Sequence, residues 1–432
     1  MDLYAKRTFS IDTENAFKIG PHIARLEAEG HPVVKLNLGE PDFNVPAFIK
    51  QEIKDQLDRN NTHYCDPKGI LSLREAISHQ IFETRKIHIS PEQVVIFPGA
   101  KPGIGFSQQV YCDPGDEIIY PSPGFPIFES FIRYLDAKPV PVHLMEENGF
   151  TLSADQLATL ITPKTKLIYI NSPSNPTGGV VELNQLEAIA EVILKKAHPN
   201  ARIYSDEIYE QIIFDGKQHH SIASIPEMKN RTIISSGFSK TFAWTGGRVG
   251  YAILPSVEEA DVFKNLNINY FSCVPPYNQE GARAALTNPA SKKAISLMVN
   301  TFEERRNTLV QLLNQIPGMT CQMPSGAFYV FPNIKGICKK LGIFDAYQNL
   351  DHHTKSKTTP STLFQMFALY HHYVATLDRK SFGRIGIADK HHLRISYASD
   401  IALLKEGVVR LHNAAIDVEG FQKFMQKRDN LY

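Results

Sequence analysis

The chain has 432 residues and a formal net charge of +1, and 43% of its residues are apolar and 10% aromatic. The balanced charge argues against a nucleic-acid-binding protein, which usually carries a basic excess that neutralises phosphates. The apolar content argues against a disordered chain, and 26 glycines and 27 prolines are too few for a collagen-like or low-complexity sequence. At about 150 residues per domain, the length predicts two or three domains, or one large domain with an appendage.

The cysteines and the N-terminal residues indicate where such a chain works. The five cysteines are scattered and form no C-x-x-C pair, which favours a reducing compartment over a disulfide framework or a zinc ribbon. The first residues contain no apolar segment of the kind that secretion signals have. No apolar run approaches the roughly 18 residues that a membrane-spanning helix needs. We therefore expect a cytoplasmic protein without a membrane or nucleic-acid partner.

Short apolar runs that end in Gly, Pro, Asn, Ser or Asp recur through the middle of the chain, with helix-length segments between them. The predicted strands are 94–97, 118–120, 167–170, 203–204 and 232–234. The segment 183–196 has the periodicity of an amphipathic helix. This alternation favours βαβ units and a mostly parallel sheet. Open sheets of this kind bind ligands at the carboxyl ends of their strands, so we look for functional residues directly after these runs.

The pattern changes in the last third of the chain. The segment 298–316 predicts a long amphipathic helix that leads into a second domain. Strands are predicted at 327–331 and 393–397, and a closing helix at 403–415. The stretch 345–365 is the least apolar, and we expect it to be a polar surface insertion.

Several familiar motifs are incomplete. Gly103-x-Gly105 lacks the third glycine of a dinucleotide-binding fingerprint, and Gly237-x-Ser239 lacks the final glycine of a hydrolase nucleophile elbow. Adjacent histidines point in different directions, so histidine doublets favour surface or structural roles, and we expect no metal site. The doublets are His219-His220, His352-His353, His371-His372 and His391-His392.

Four polar blocks in a fixed order carry the strongest signal. They are NSPSNPTG at 171–178, SDEIY at 205–209, SKTF at 239–242 followed by TGGRVG at 245–250, and LRISY at 393–397. Each has an ordinary explanation when taken alone, such as a turn, a helix cap or a surface lysine. The arginine of the last block, Arg394, lies in an apolar strand and needs a partner, because burying an unpaired charge is costly.

Together these blocks resemble the class I and II aminotransferases of fold type I, which use pyridoxal 5'-phosphate (PLP), and most closely the subgroup of bacterial aspartate and prephenate aminotransferases. The resemblance extends from LNLGEPDF at 36–43 to Tyr397. It is supported by YCDPKG at 64–69, LREAI at 73–77, PGAK at 98–101 and PGFPIF at 123–128. It implies an α/β fold with two domains. The large PLP-binding domain, with a mostly parallel seven-stranded sheet, is expected at 46–300, and the smaller α+β domain at 1–45 and 301–432.

The resemblance also implies catalytic roles. Lys240 matches the lysine that joins the cofactor aldehyde and then acts as a general base. Asp206 matches the acid that pairs with the pyridinium nitrogen and keeps the ring able to accept electrons. Asn175 and Tyr209 match the donors to the phenolic oxygen of the ring, where hydrogen bonds favour its ionised form.

Further positions correspond to cofactor and substrate contacts. Those expected at the cofactor are Gly99, Ala100 and Lys101 at a strand-to-helix turn, Arg248 at the phosphate, Phe125 stacked on the ring, and Tyr64 at the phosphate of the neighbouring subunit. Arg394 would hold the substrate α-carboxylate through two parallel hydrogen bonds, with the backbone of Gly39 closing over it and Phe125 and Asn175 nearby. The role of Tyr64 implies a homodimer with shared active sites.

Two departures from the family pattern concern the cofactor. Phe125 stands where many relatives have Tyr or Trp, so stacking is kept and a polar group is lost. Gly237 stands where relatives often have a phosphate-binding serine, which Ser236 or Ser239 could replace.

The expected reaction is ping-pong transfer of an amino group from an L-amino acid to a 2-oxo acid. Lys101 suggests aspartate with 2-oxoglutarate, because in this subgroup it can meet a distal carboxylate. Alanine, aromatic amino acids and kynurenine stay open as substrates. A PLP-dependent C–S lyase and a ligand sensor without catalysis are the alternatives from other functional classes.

Overall fold

The computed structural model describes residues 3–12, 14–386, 391–427 and 429–432. Its strands are β1 Val34–Lys35, β2 Val94–Phe97, β3 Glu117–Ser122, β4 Lys138–His143, β5 Thr165–Asn171, β6 Arg202–Asp206, β7 Thr232–Gly237, β8 Gly250–Ile253, β9 Tyr329–Val330, β10 Val374–Ala375, β11 Leu377–Asp378 and β12 Leu393–Ser396.

The helices carry most of the chain between these strands. They are α1 Asn15–Lys18, α2 Gly20–Ala28, α3 Ala47–Asp58, α4 Leu71–Arg85, α5 Lys101–Tyr111, α6 Ile127–Tyr134, α7 Ala154–Leu160, α8 Leu183–Lys196, α9 Phe238–Thr241, α10 Val257–Phe271, α11 Pro276–Thr287, α12 Ser291–Leu313, α13 Lys335–Lys340, α14 Ile343–Gln348, α15 His352–Lys357, α16 Pro360–His372, α17 Ile401–Ile416 and α18 Val418–Lys427. No described helix has the length and apolar character needed to cross a membrane.

The central sheet has seven strands in the order β2-β8-β7-β6-β5-β3-β4. All neighbouring pairs are parallel except those of β8, which runs antiparallel to both β2 and β7. The predicted mostly parallel sheet is therefore confirmed, and each of the five predicted strands lies within an observed one. Two strands of this central sheet were not predicted. The edge strand β4 contains two prolines, which the edge of a sheet tolerates, and β8 is a four-residue strand that begins with glycine.

Most strands of the central sheet are buried because helices cover both of its faces. All residues of β2, β3 and β7 are buried. The predicted amphipathic helix 183–196 coincides with α8, which buries Leu186, Ile189, Ala190 and Ile193. Hydrophobic contact with both faces explains why these strands are apolar runs and do not alternate.

The C-terminal third contributes most of one hydrophobic cluster, which residues of β1 and of 209–214 complete. There β11, β12 and β9 form a small antiparallel sheet, and β1 pairs in parallel with β10. The helix predicted at 298–316 is α12, which begins earlier and crosses the predicted domain boundary at 300. The predicted strands 327–331 and 393–397 correspond to β9 and β12, and the closing helix to α17. The division into two domains stays a prediction.

The prediction that 345–365 forms a surface insertion is wrong for its last part. Helix α15 is mostly exposed, but residues 358–365 are buried. Their polar atoms are paired within the fold: Thr359 and Thr362 bond to each other in a capping box at the start of α16. Polar composition was misleading because hydroxyl groups that satisfy one another and the backbone can be buried at little cost.

Candidate active site

A cavity of about 390 Å³ lies where the strands β5, β6 and β7 end. Ten of the sequence-predicted residues line it: Gly39, Ala100, Lys101, Phe125, Asn175, Asp206, Tyr209, Lys240, Arg248 and Arg394. Gly99 lies beside the cavity against the guanidinium of Arg248. Tyr64 does not line it and is 88% exposed. The structure thus brings together residues that come from both ends and the middle of the chain.

Asp206 is a buried carboxylate at the end of β6. Its Oδ1 accepts a long hydrogen bond from the backbone N–H of Ile208 at 3.4 Å. No described Lys, Arg or His forms an ion pair with it. Burial, together with the charge of Glu207, raises the pKa of Asp206 to about 7. Such a carboxyl group is suited to a cationic partner, which would restore its ionised form.

Lys240 lies in α9, directly after β7, and its side chain reaches into the cavity. Its Nζ donates to the backbone oxygen of Gly39 at 2.7 Å. Removal from water lowers the pKa of Lys240 to about 8, and the charges of Arg394 and Lys101 act in the same direction. About a tenth of the amine is therefore neutral, and nucleophilic, at pH 7, far more than for an ordinary lysine.

Arg394 extends from β12 into the cavity and is buried. Its Nη1 donates to Oδ1 of Asn175 at 3.0 Å and its Nη2 to the backbone oxygen of Asn37. Its guanidinium lies 4.5 Å from the ring centre of Tyr329 and 5.0 Å from that of Phe382. The buried Nε has no hydrogen-bond partner, and no carboxylate of the described residues pairs with this arginine. A buried guanidinium without a carboxylate partner can accept an anionic ligand.

Asn175 and Tyr209 are held by neighbouring polar groups. The backbone N–H of Asn175 donates to Oδ1 of Asn171 at 2.9 Å. The hydroxyl of Tyr209 lies 2.8 Å from that of Tyr329. Asn171 in turn donates to the backbone oxygen of Asp206 at 3.3 Å. These contacts connect the ends of β5 and β6 to the small antiparallel sheet.

The other end of the cavity is suited to a phosphate. Helix α5 begins at Lys101 after Ala100, and the first N–H groups of a helix have no partner within it. Arg248 packs over Gly99: a Cβ at this glycine would lie 2.1 Å from Nη2 of the arginine, and the backbone φ is +83°. Arg248 donates to the backbone oxygens of Thr245 and Pro98 at 2.9 and 3.1 Å. No acidic side chain of the described residues neutralises it.

The structure also explains the departure at Gly237. A Cβ there would lie 2.9 Å from the Cα of Gly250, so the neighbouring strand leaves no room for a serine. Of the two suggested replacements, Ser239 lines the cavity. The hydroxyl of Ser236 instead donates to the backbone oxygen of Glu207.

Among the cavity residues that sequence reasoning missed, Glu14, Phe17 and Tyr329 contact predicted ones. Glu14 forms an ion pair with Lys101, and the ring centre of Phe17 lies 5.9 Å from Nζ of Lys101. Both come from the N-terminal segment, which contains no local motif that predicts this docking. Tyr329 lies beneath Arg394, and a Cβ on Gly39 would lie 2.1 Å from its hydroxyl. The predicted strand 327–331 includes Tyr329, but the sequence did not predict the contact between Tyr329 and Gly39.

Comparison with known proteins gives consistent matches over nearly the whole chain. A family model described as aminotransferase class I and II matches residues 31–411. A probable aspartate/prephenate aminotransferase of Aquifex aeolicus is 35% identical over 415 residues, which are 96% of this chain and 99% of the relative. Aromatic-amino-acid aminotransferase 2 of Thermococcus litoralis is 35% identical over 88% of this chain and 90% of its own length. The crystal structure of an aspartate aminotransferase from Rhizobium meliloti superposes with a TM-score of 0.86 at 31% identity, covering 96% of this chain and 99% of that one.

Proposed function

This chain belongs to the class I and II aminotransferases, with the fold that its sequence predicted, and we propose that it transfers amino groups between aspartate and 2-oxoglutarate with PLP as cofactor. One observation carries the cofactor proposal: Lys240, Asp206 and Arg394 line a single cavity. The names of the relatives support the choice of aspartate. Lys101, which lines the same cavity, supports a substrate with a second carboxylate.

The residues of the cavity fit PLP by charge. Asp206 is buried and forms no ion pair with a Lys, Arg or His of the described residues, as a site for a pyridinium nitrogen requires. Arg248 offers a positive charge, and the backbone N–H groups of Ala100 and Lys101 at the start of α5 have no acceptor among the described residues, as a phosphate site requires. Arg394 has a buried, unpartnered Nε, as a site for a substrate carboxylate requires. The acidic and basic groups are thus placed opposite the charges that the cofactor and an amino acid would bring.

When bound, PLP supplies an aldehyde that joins amines and a ring that withdraws electrons from the substrate Cα. Lys240 would hold the cofactor through its amine and, when displaced by substrate, would move the proton from the substrate Cα. Asp206 would hold a proton on the ring nitrogen. Asn175 and Tyr209 would donate hydrogen bonds to the phenolic oxygen, and Phe125 would cover the face of the ring.

The remaining residues would hold the anionic groups. Gly99, Ala100 and Arg248 would bind the phosphate. Arg394 and the backbone at Gly39 would bind the substrate α-carboxylate and orient its Cα–H bond towards Lys240. Lys101, expected at the cofactor, also stands where it could meet a distal carboxylate. It is paired with Glu14, so a substrate carboxylate would compete with that side chain.

We further propose a homodimer. Tyr64 is 88% exposed and lies outside the cavity of its own chain, and would reach the phosphate of a neighbouring subunit. Several other large apolar side chains are also exposed, namely Leu57, Leu71, Val262, Ile268, Tyr270 and Phe271. Exposed apolar groups of this kind are typical of subunit interfaces.

The test is a set of single-turnover reactions of the PLP-loaded protein with a panel of amino acids, followed by absorbance. Aspartate and glutamate are expected to convert the cofactor to its amino form fastest, and 2-oxoglutarate to reverse the change. Faster conversion by phenylalanine or tyrosine would indicate the activity named for the Thermococcus relative. Release of pyruvate and ammonia from cysteine-type substrates without a 2-oxo acid would indicate a lyase and contradict the proposal. Borohydride reduction and peptide mapping should label Lys240.

A further inference from the structure

A second cavity, of about 320 Å³, shares helix α1 with the candidate active site. Ala16 and Phe17 of this helix line the active-site cavity, whereas Asn15 and Lys18 line the second one. Its other walls come from the start of α2, from α15 and α16, from the end of β11 with the segment after it, and from Tyr432. The second cavity therefore lies outside the proposed catalytic groups but touches an element that covers them.

The lining of this second cavity is strongly basic. Lys18, Lys357, Lys380 and Arg384 line it, together with a single carboxylate, that of Asp378. We call it the basic cavity. Asp378 is already engaged: its carboxylate accepts hydrogen bonds from Thr362 Oγ1 and from the backbone N–H and hydroxyl of Ser381. These neutral donors leave its negative charge in place, and that charge acts on Lys380. The lining therefore carries four cations against one anion.

Two of the four cations have no acidic partner among the described residues. Lys18 and Arg384 both pair with Asp12. Lys380 instead donates to the backbone oxygen of Ser356 at 2.8 Å, and Lys357 lies 4.7 Å from the ring centre of Tyr432. Partial burial and the charge of Arg384 lower the pKa of Lys380. Two cations thus line the cavity without a paired carboxylate from the described residues. The charges of Asp378 and Asp12 act on Lys380 from a longer distance, and Lys357 donates to the hydroxyl of Tyr432 at 3.4 Å.

A buried amide adds a second, independent feature. Gln365 is only 6% exposed and lines the basic cavity. Within the described parts of the chain its Oε1 has no hydrogen-bond partner, and its Nε2 contacts the sulfur of Met366 at 4.0 Å. A buried amide without partners is costly, and rotation of the amide would offer N–H donors to an anion.

We propose that the basic cavity binds a small multivalent oxyanion, such as a phosphorylated metabolite or a tricarboxylate, and that the bound anion holds α1 over the active site. Its volume is within the range of small-ligand sites. Helix α1 has only four residues, and Asn15 fastens it through a hydrogen bond to Ser381 at 2.8 Å. An anion that joins Lys18 to Lys357 and Lys380 would bind the helix to the C-terminal core.

Binding is tested by titration calorimetry of the PLP-loaded protein with pyrophosphate and with citrate at constant ionic strength. The Lys357→Met/Lys380→Met variant removes the two cations that have no paired carboxylate among the described residues. The Lys339→Met/Lys340→Met variant is the matched control, because it removes two exposed lysines from α13. We expect the first variant to bind at least tenfold more weakly and the control to bind like the unmodified protein. The ratio of the two affinities distinguishes phosphate from carboxylate ligands.

Equal binding by all three proteins would place the anion elsewhere, and absence of binding would exclude the site; either result overturns the proposal. The single variant Lys357→Met, at an exposed position, provides the same test should the double variant fold poorly. Because calorimetry does not depend on turnover, its result is independent of the proposed reaction.

The coupling to α1 is tested through KM. Saturating pyrophosphate should lower KM for the best 2-oxo acid at least threefold in the unmodified and control proteins, with little change in kcat. The Lys357→Met/Lys380→Met variant should not respond. An unchanged KM in the unmodified protein, or a KM raised equally in all three through competition at Arg394, would contradict the proposal.

Discussion

The guanidinium of Arg394 donates to the side-chain oxygen of Asn175 at 3.0 Å, joining residues 219 positions apart. Asn175 follows a strand of the central sheet, and Arg394 belongs to the small antiparallel sheet. The contact orients one edge of the guanidinium and leaves its Nε without a partner. Because the side chain is ordered before a ligand arrives, binding of a carboxylate requires little further ordering.

Replacement of Arg394 by lysine should weaken substrate binding strongly. A lysine keeps the charge but loses the two parallel hydrogen bonds, so kcat/KM should fall by about 100-fold, or about 3 kcal/mol. Cofactor content should be unchanged, because this residue is proposed to touch only the substrate. Steady-state kinetics and PLP absorbance measure both effects. Arg59→Lys, at an exposed position, is the control, and an unaltered kcat/KM in Arg394→Lys would refute the assignment.

The buried carboxyl of Asp206 should make the cofactor-free protein less stable as the pH rises. Its pKa in the folded protein is raised from 3.8 to about 7. Between these values the folded state binds more protons than the unfolded state, so the free energy of unfolding decreases from about pH 4 to pH 7. Asp206→Asn lacks this contribution. The difference in Tm, variant minus unmodified protein, should increase over this range.

Cofactor binding provides the check on Asp206. A cationic ring nitrogen beside the carboxylate would lower its pKa, so saturation with PLP should reduce the pH dependence of the unmodified protein. The Asp206→Asn variant, whose amide side chain carries no charge at this position, should bind PLP more weakly. A Tm difference that stays constant from pH 4 to pH 7 in the cofactor-free proteins would argue against a raised pKa.

Lys240 should react with acylating reagents at a lower pH than ordinary lysines. Its pKa is lowered to about 8, whereas a lysine in a model peptide has a pKa of about 10.4. Brief acylation of the cofactor-free protein at a series of pH values, followed by peptide mass spectrometry, should give a rate that rises with a midpoint near pH 8. Free N-acetyl-lysine amide in the same tube serves as the reference. A common midpoint for both would contradict the lowered pKa.

The residues predicted from the sequence belong to continuous blocks at the ends of strands. Asp206 follows an apolar run, and Lys240 follows another, so the parallel sheet brings them to one edge. Glu14 and Phe17 could not be found in this way. Their place in the cavity depends on how the N-terminal segment packs against a distant part of the chain, and no local pattern encodes that packing.

Where polar residues bond to one another, the sequence predicts their secondary structure better than their burial. The buried start of α16 reads as a polar stretch because Thr359 and Thr362 satisfy each other. The short strand β8 contributes few residues to the apolar pattern but separates β2 from β7. The burial of the start of α16 depends on hydroxyl groups that bond to each other, which composition alone does not reveal. The position of β8 depends on pairing with strands that are distant in sequence.

Gly39→Ala should disturb the substrate site through Tyr329. An added Cβ would lie 2.1 Å from the hydroxyl of Tyr329 and 3.0 Å from its ring carbon, so the ring beneath Arg394 must move. We expect KM to rise about tenfold, equivalent to about 1.4 kcal/mol. Tyr329→Phe removes the nearest atom, so the double variant should recover part of the loss. If the fold-change in KM of the double variant equals the product of the fold-changes of the two single variants, the contact between residue 39 and Tyr329 is not the cause.

Lys101 and Glu14 should together determine the preference for dicarboxylic substrates. Lys101→Met removes the proposed partner of a distal carboxylate, so kcat/KM for aspartate should fall by about tenfold to 100-fold, or about 1–3 kcal/mol. The value for phenylalanine should be nearly unchanged. Glu14→Gln removes the carboxylate that pairs with Lys101 and should lower KM for aspartate, because the substrate no longer competes with it. Steady-state kinetics with both amino acids gives the ratio, and a parallel fall for aspartate and phenylalanine in Lys101→Met would assign this lysine to the cofactor instead.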